Sequence, residues 1–246
     1  AVGKIPFINS FAAFSPGRNW DQLRVSVCYS NLNVKVHASH AGITVGEDGA
    51  THQALEDIAI TRVLPNLTVI VPADANEAKN ATLAIAKHEG PVYLRTSRAK
   101  VPQITKKEPF VIGKAKKMSS GTDVTIVACG VMVNEALKAK EILDKKKISV
   151  EILNTASIKP FDEKALLTSI KKTGCIVTAE EHQIHGGLGS LVAEIITKND
   201  TLVPIEMVGM QDCFGESGTA DQLLAKYEMD SHAIVKAVKK VLKRKK

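Results

Sequence analysis

Rings are scarce in this sequence: one Trp, three Tyr and six Phe make up 4% of its 246 residues. These aromatics are not interleaved with lysines, so nothing resembles the base-stacking platforms of single-stranded nucleic-acid binders. Cysteine is sparse as well. Cys28, Cys129, Cys175 and Cys213 lie far apart, with no C-x-x-C pair. That excludes a disulfide framework or zinc knuckle and fits a reduced, cytoplasmic setting. No apolar run approaches the roughly 18 residues of a membrane-spanning helix. The longest stretches, such as Leu67-Thr-Val-Ile-Val71, are strand-sized, so no membrane partner is expected. There is no repeat of fixed short period and no low-complexity segment apart from a lysine-rich tail.

What is present is enough for a core. Apolar residues make up 44% and charged residues 24%, the balance of a soluble globular chain, and the length suits two ordinary domains. The formal charge of +7, from 33 basic and 26 acidic residues, invites a nucleic-acid reading. However, residues 236–246 hold seven basic side chains and no acidic one, and the remainder is balanced. The excess therefore sits at one helix end, where cations suit the dipole, and no nucleic-acid partner is expected. The opening Ala1-Val-Gly-Lys-Ile-Pro-Phe7 has neither an initiator Met nor the shape of a signal peptide, and reads as a start inside a larger fold.

Along the chain, strand and helix signals alternate. Residues 32–37 read as a strand, 51–63 as a helix capped by Thr51, 67–71 as a strand, 76–88 as a helix and 91–95 as a strand. Such alternation predicts a parallel sheet covered by helices. Residues 99–120, rich in lysine and carrying Pro102 and Pro109, break the rhythm and read as a surface linker. A second alternation follows: strands at 123–128, 148–153, 175–178 and 204–208, and helices at 133–143, 162–171, 188–197 and 231–242. The predicted class is α/β, two domains, each a mostly parallel sheet flanked by helices.

The densest group of polar and glycine residues runs from His37 to Gln53 and holds His40, Gly46-Glu47-Asp48-Gly49 and Thr51-His52. It follows a strand, at the carboxyl end where open α/β sheets bind ligands. Glycines allow a close backbone approach, a helix start at 51–53 would offer free N–H groups, and two histidines with two carboxylates within the thirteen residues 40–52 can move protons and bond hydroxyls. His40 and His52 lack metal-ligand spacing, and no metal site is expected on this chain.

Several segments together closely resemble transketolase: Pro6-Phe-Ile-Asn-Ser-Phe11-Ala-Ala-Phe14, Asp21-Gln-Leu-Arg24, His40, Gly46-Glu-Asp-Gly-Ala-Thr-His52-Gln, Val71-Pro-Ala-Asp74, Gly90-Pro-Val-Tyr-Leu-Arg-Thr-Ser-Arg98, Ile158-Lys-Pro160 and Glu181-His182 with Gly186-Gly-Leu-Gly189. The resemblance spans nearly the whole chain. It implies a thiamine-diphosphate-binding pyrimidine-type domain over 1–104, lacking its N-terminal part, a linker over 105–120, and a transketolase C-terminal-type domain over 121–246. It also implies two-carbon ketol transfer between sugar phosphates. Phe11 and Phe14 would line the aminopyrimidine pocket, and His52 would face cofactor and reacting carbons. Asp48 would bond a substrate hydroxyl, and His40 and Arg98 would hold the sugar phosphate, with Arg95 a competitor for that role.

Two departures limit what the resemblance carries. The family's glutamate that protonates the pyrimidine lies upstream of Ala1, and the diphosphate with its Mg or Ca is held by another domain through a Gly-Asp-Gly signature. The chain is therefore expected to be inactive alone, and to need a diphosphate-binding domain or subunit of the same enzyme in a homo-dimer or hetero-oligomer. Glu180, Glu181, His182 and His185 are expected to be structural. The alternatives are a section similar to deoxyxylulose-phosphate synthase, or a non-catalytic assembly fragment.

Overall fold

The structure, a computed structural model, describes residues 2–245. It contains two five-stranded sheets. The first has the order β1 (Phe7–Phe11), β2 (Lys35–Ser39), β4 (Val92–Arg95), β3 (Thr68–Ile70), β8 (Ser157–Lys159). The second has the order β10 (Ile205–Met210), β9 (Ile176–Gln183), β6 (Val124–Ala128), β7 (Val150–Asn154), β5 (Lys116–Ser119). In each, four strands run parallel and one edge strand, β8 or β5, is antiparallel. The α/β class and the mostly parallel sheets read from the sequence are therefore present.

The central strands β3, β4, β6 and β7 are buried at every position, as expected where helices cover both faces of a parallel sheet. The helices start where short acceptors cap them. Asp74 accepts from Glu77 N ahead of α3 (Ala75–Lys87), Asp162 from Ala165 N ahead of α5 (Glu163–Thr173), and Asp230 from Ala233 N ahead of α8 (Ser231–Arg244). Each such cap is worth about 1 kcal/mol. The other helices are α1 (Trp20–Gln22), which runs into a π-helical turn over Leu23–Tyr29, α2 (Asp57–Arg62), α4 (Met132–Asp144), α6 (Leu188–Lys198) and α7 (Ala220–Lys226).

Two sequence expectations differ, and one strand has no counterpart in the sequence pattern. The helix expected from Thr51 begins at Asp57 instead, and its N-cap position, Glu56, makes no side-chain cap. The apolar spacing over 51–63 arises because Ala54 and Leu55 are buried by tertiary packing before the helix starts, so the free N–H groups expected at 51–53 are not a helix end. Residues 116–119 of the expected linker form β5, paired with β7. The short β8, unnoticed in the sequence, crosses from the second half of the chain to pair with β3 of the first sheet. The halves share core as well. Ile158, Leu166, Leu188 and Val192 pack in one cluster with Val69, Val71 and Tyr93, while Ile43 and Leu55 pack with Val208 and Leu224.

Candidate active site

The parallel pairing of β1 with β2 sets the site. Phe11 stands opposite Ser39 in register, so the residues after both strands emerge together at their carboxyl ends. His40, at φ +57, turns out of β2 and stacks on Phe11 with ring centroids 3.9 Å apart and planes 17° from parallel. Phe14 lies 6.0 Å from Phe11, nearly coplanar in orientation at 13°. A turn closed by His52 N–H donating to Gly49 O brings the His52 ring edge-on to Phe14 at 5.2 Å and to Phe11 at 6.3 Å. Four of the six residues singled out in the sequence thus converge, though they come from three segments.

The other two form a second, adjoining group. Arg98 Nη1 donates to Val45 O at 2.7 Å and to Glu47 Oε2 at 3.2 Å, and lies 3.6 Å from Asp48 Oδ1. Its side chain remains 42% exposed, so it can still meet a ligand from solvent. Burial pushes the His40 imidazole below its ordinary pKa, and the positive charge of Arg98 pushes it further, with Asp48 opposing. Both effects favour the uncharged imidazole, which can donate one hydrogen bond without adding charge. Arg98 and Glu47 also line a cleft of about 430 Å³ that continues to Asn134 and Lys138 of α4.

Arg95, the competitor for the ligand-binding role, is placed differently. It is buried, its Nε donates to Asp57 Oδ2 at 2.7 Å, and Tyr93 Oη donates to the same oxygen at 2.7 Å. Glu180 accepts the Leu188 and Gly189 N–H groups at the start of α6. His182, fully buried, uses Nδ1 toward Gln183 O and Nε2 as acceptor from Ala59 N. Glu180 thus fixes the start of α6 within the second half, while the Ala59–His182 bond joins the two halves.

Arg18 was not singled out in the sequence. Its guanidinium lies 4.4 Å above the Phe14 ring centroid, a cation–π distance; the Pro16-Gly17 turn before it was the available signal. Parallel Phe11 and Phe14 faces suit a flat heterocycle. Among the described residues no group of three or more His, Cys, Asp or Glu could hold a metal ion.

These features define a class: a two-domain α/β protein with an aromatic, histidine-lined site at the carboxyl end of a parallel sheet. The chain belongs to the transketolase family. The family's pyrimidine binding domain matches residues 1–103 and its C-terminal domain residues 113–234. A Methanocaldococcus jannaschii protein provisionally named as a transketolase C-terminal section is 46% identical over 246 residues, covering 99% of this chain and 77% of that one. A Clostridium protein named 6-deoxy-6-sulfo-D-fructose transketolase subunit is 45% identical, covering 100% and 76%. A solved split-gene transketolase, described as an inactive β4 tetramer, matches with a TM-score of 0.94 at 45% identity, over 100% of this chain and 78% of that one.

Proposed function

We propose that this chain is the part of a transketolase that supplies the aminopyrimidine pocket and the sugar-phosphate site for thiamine-diphosphate-dependent transfer of a two-carbon ketol unit. The observation that carries this reading is the convergence of Phe11, Phe14, His40 and His52 from three segments at one sheet end. When bound, the cofactor supplies the electron sink for cleaving the ketose carbon–carbon bond. Phe11 and Phe14 hold its flat ring and keep water away. His52 faces the reacting carbons and holds or passes a proton to a substrate oxygen. Asp48 accepts from a substrate hydroxyl. Arg98 and His40 hold the terminal anion, Arg98 with the part of its planar fork that faces solvent.

The division of labour follows the residues present. Residues 1–104 provide the pocket, 105–115 connect, and the C-terminal domain begins with β5 at Lys116–Ser119 in the second sheet. The grip on diphosphate and metal comes from a partner domain or subunit of the same enzyme, in a dimer or hetero-oligomer in the cytoplasm. The test mixes the full chain with its candidate diphosphate-binding partner, thiamine diphosphate and Mg²⁺, and follows conversion of xylulose 5-phosphate and ribose 5-phosphate. Because the Clostridium relative's name contains 6-deoxy-6-sulfo-D-fructose, a sulfonated ketose belongs in the donor panel. Transfer is expected from the mixture and not from the chain alone. Turnover by the chain alone would sink the shared-site reading, and none by the mixture with any donor would sink the ketol-transfer reading.

A further inference from the structure

Glu181 lies on β9, in the second sheet, yet its carboxylate is built into the loop of the first. Its Oε1 accepts the Thr44 N–H at 2.5 Å, between residues 137 positions apart. The residue is 2% exposed, and Oε2 is a buried oxygen with no hydrogen-bond partner. The loop closes directly onto the carboxyl group: a Cβ at Gly42, where φ is +82°, would fall 2.1 Å from the Glu181 carboxyl carbon. Glycine is required there both for the left-handed backbone and for the approach. From its other side Glu181 is held by Arg95, whose Nη2 donates to the Glu181 carbonyl at 2.8 Å while Nε is fixed on Asp57. Burial raises the pKa of the Glu181 carboxyl, and the guanidinium opposes this.

Thr44 lies in the 3₁₀ turn Ile43–Asp48. That turn leads to Asp48, and its Val45 carbonyl holds Arg98. His40 precedes Gly42 by two residues, and His52 follows the turn. The anchored backbone group therefore sits midway between the side chains that converge at the site. We propose that Glu181 is a positioning residue for substrate binding: from the second unit it sets the height and tilt of the loop that carries His40, Asp48 and His52, and with it the place of Arg98. The proposal rests on reading that loop as the sugar-phosphate site. Its physical content is reach rather than charge, because an oxygen must arrive at Thr44 N whatever the protonation of the group that bears it.

Two variants of the full chain separate reach from charge. Glu181→Gln keeps the length and an acceptor oxygen, whereas Glu181→Asp keeps the acid and loses one methylene. Hydrogen exchange of the Thr44 amide is measured on the chain, and KM and kcat for the sugar phosphate on its mixture with the diphosphate-binding partner. Glu181→Asp is expected to speed Thr44 exchange and to raise KM about tenfold each, the scale of one lost hydrogen bond, with a smaller change in kcat. Glu181→Gln is expected to stay close to the parent. Equal effects of the two variants, a wild-type KM in Glu181→Asp, or unchanged Thr44 exchange would each overturn the proposal. If the parent mixture shows no ketol transfer, the functional reading fails and the positioning role with it. The exchange data then still report separately whether Glu181 anchors the loop.

Discussion

Removing the Asp57 carboxylate tests how the two halves are locked together. Asp57 and Arg95 have side chains 1% and 3% exposed. Asp57 Oδ2 accepts both from Arg95 Nε and from Tyr93 Oη, each at 2.7 Å. Asp57→Ala would leave a buried guanidinium without its counter-charge and a buried phenol without its acceptor. Breaking one side of such a pair costs roughly 3–5 kcal/mol, a large share of a stability of about 5–15 kcal/mol. At roughly 2–4 °C per kcal/mol for a chain of this size, Tm should drop by about 6–20 °C. The assay is urea unfolding with thermal scans. Replacing both partners by apolar groups (Asp57→Leu with Arg95→Met) removes the stranded charge and should be less damaging than Asp57→Ala alone. Arg98→Ala, by contrast, removes exposed pairs at 3.2 and 3.6 Å and should cost no more than ~1 kcal/mol. The reasoning is refuted if Asp57→Ala costs under about 1 kcal/mol, or if the double replacement is no better than the single one.

Three more outcomes are expected. Truncating Phe14 or Phe11 to Ala should weaken thiamine diphosphate binding by the reconstituted complex about fivefold to tenfold, the worth of one aromatic contact, with little loss of chain stability, since both rings are only partly buried; calorimetric titration decides. In Arg98→Ala the His40 pKa, held low by burial and by Arg98, should rise: a repelling cation is gone and Asp48 is freed, and both changes favour the imidazolium. An imidazole NMR titration that moves the other way would contradict the electrostatics proposed for the site. A fragment of residues 1–104 lacks β8 and the cluster partners Ile158, Leu166 and Leu188, so the edge of β3 and the buried Val69 are left uncovered. It should show no cooperative unfolding by circular dichroism, and a sharp transition would mean that the first sheet stands without β8.

How much of this was legible in the sequence follows from the range of the interactions involved. Strands β3, β4, β6 and β7 and helices α3, α4, α5 and α8 are set by local apolar runs, caps and breakers, and all lie within a few residues of where the pattern puts them. The helix read from Thr51 failed because the apolar spacing there has a tertiary cause: Ala54 and Leu55 are buried by the loop's packing, and the true helix begins only at Asp57. β5 and β8 are only three or four residues long, and their only signal is the partner each finds, at β7 and β3. The site divides in the same way. His40, Asp48 and His52 stand out because they share one glycine-rich loop, whereas their alignment with Phe11 depends on the β1–β2 register. What single-sequence pattern could not show is the support beneath them. The Glu181–Thr44 bond spans 137 positions and the Arg95–Glu181 bond 86, and no local spacing encodes either. Glycine 42 is the local trace of that contact: a left-handed residue beside a fully buried carboxylate makes sense only once the two sheets are brought together. The second unit, poor in chemical motifs, is thus tied to the site through the shape of the loop it supports.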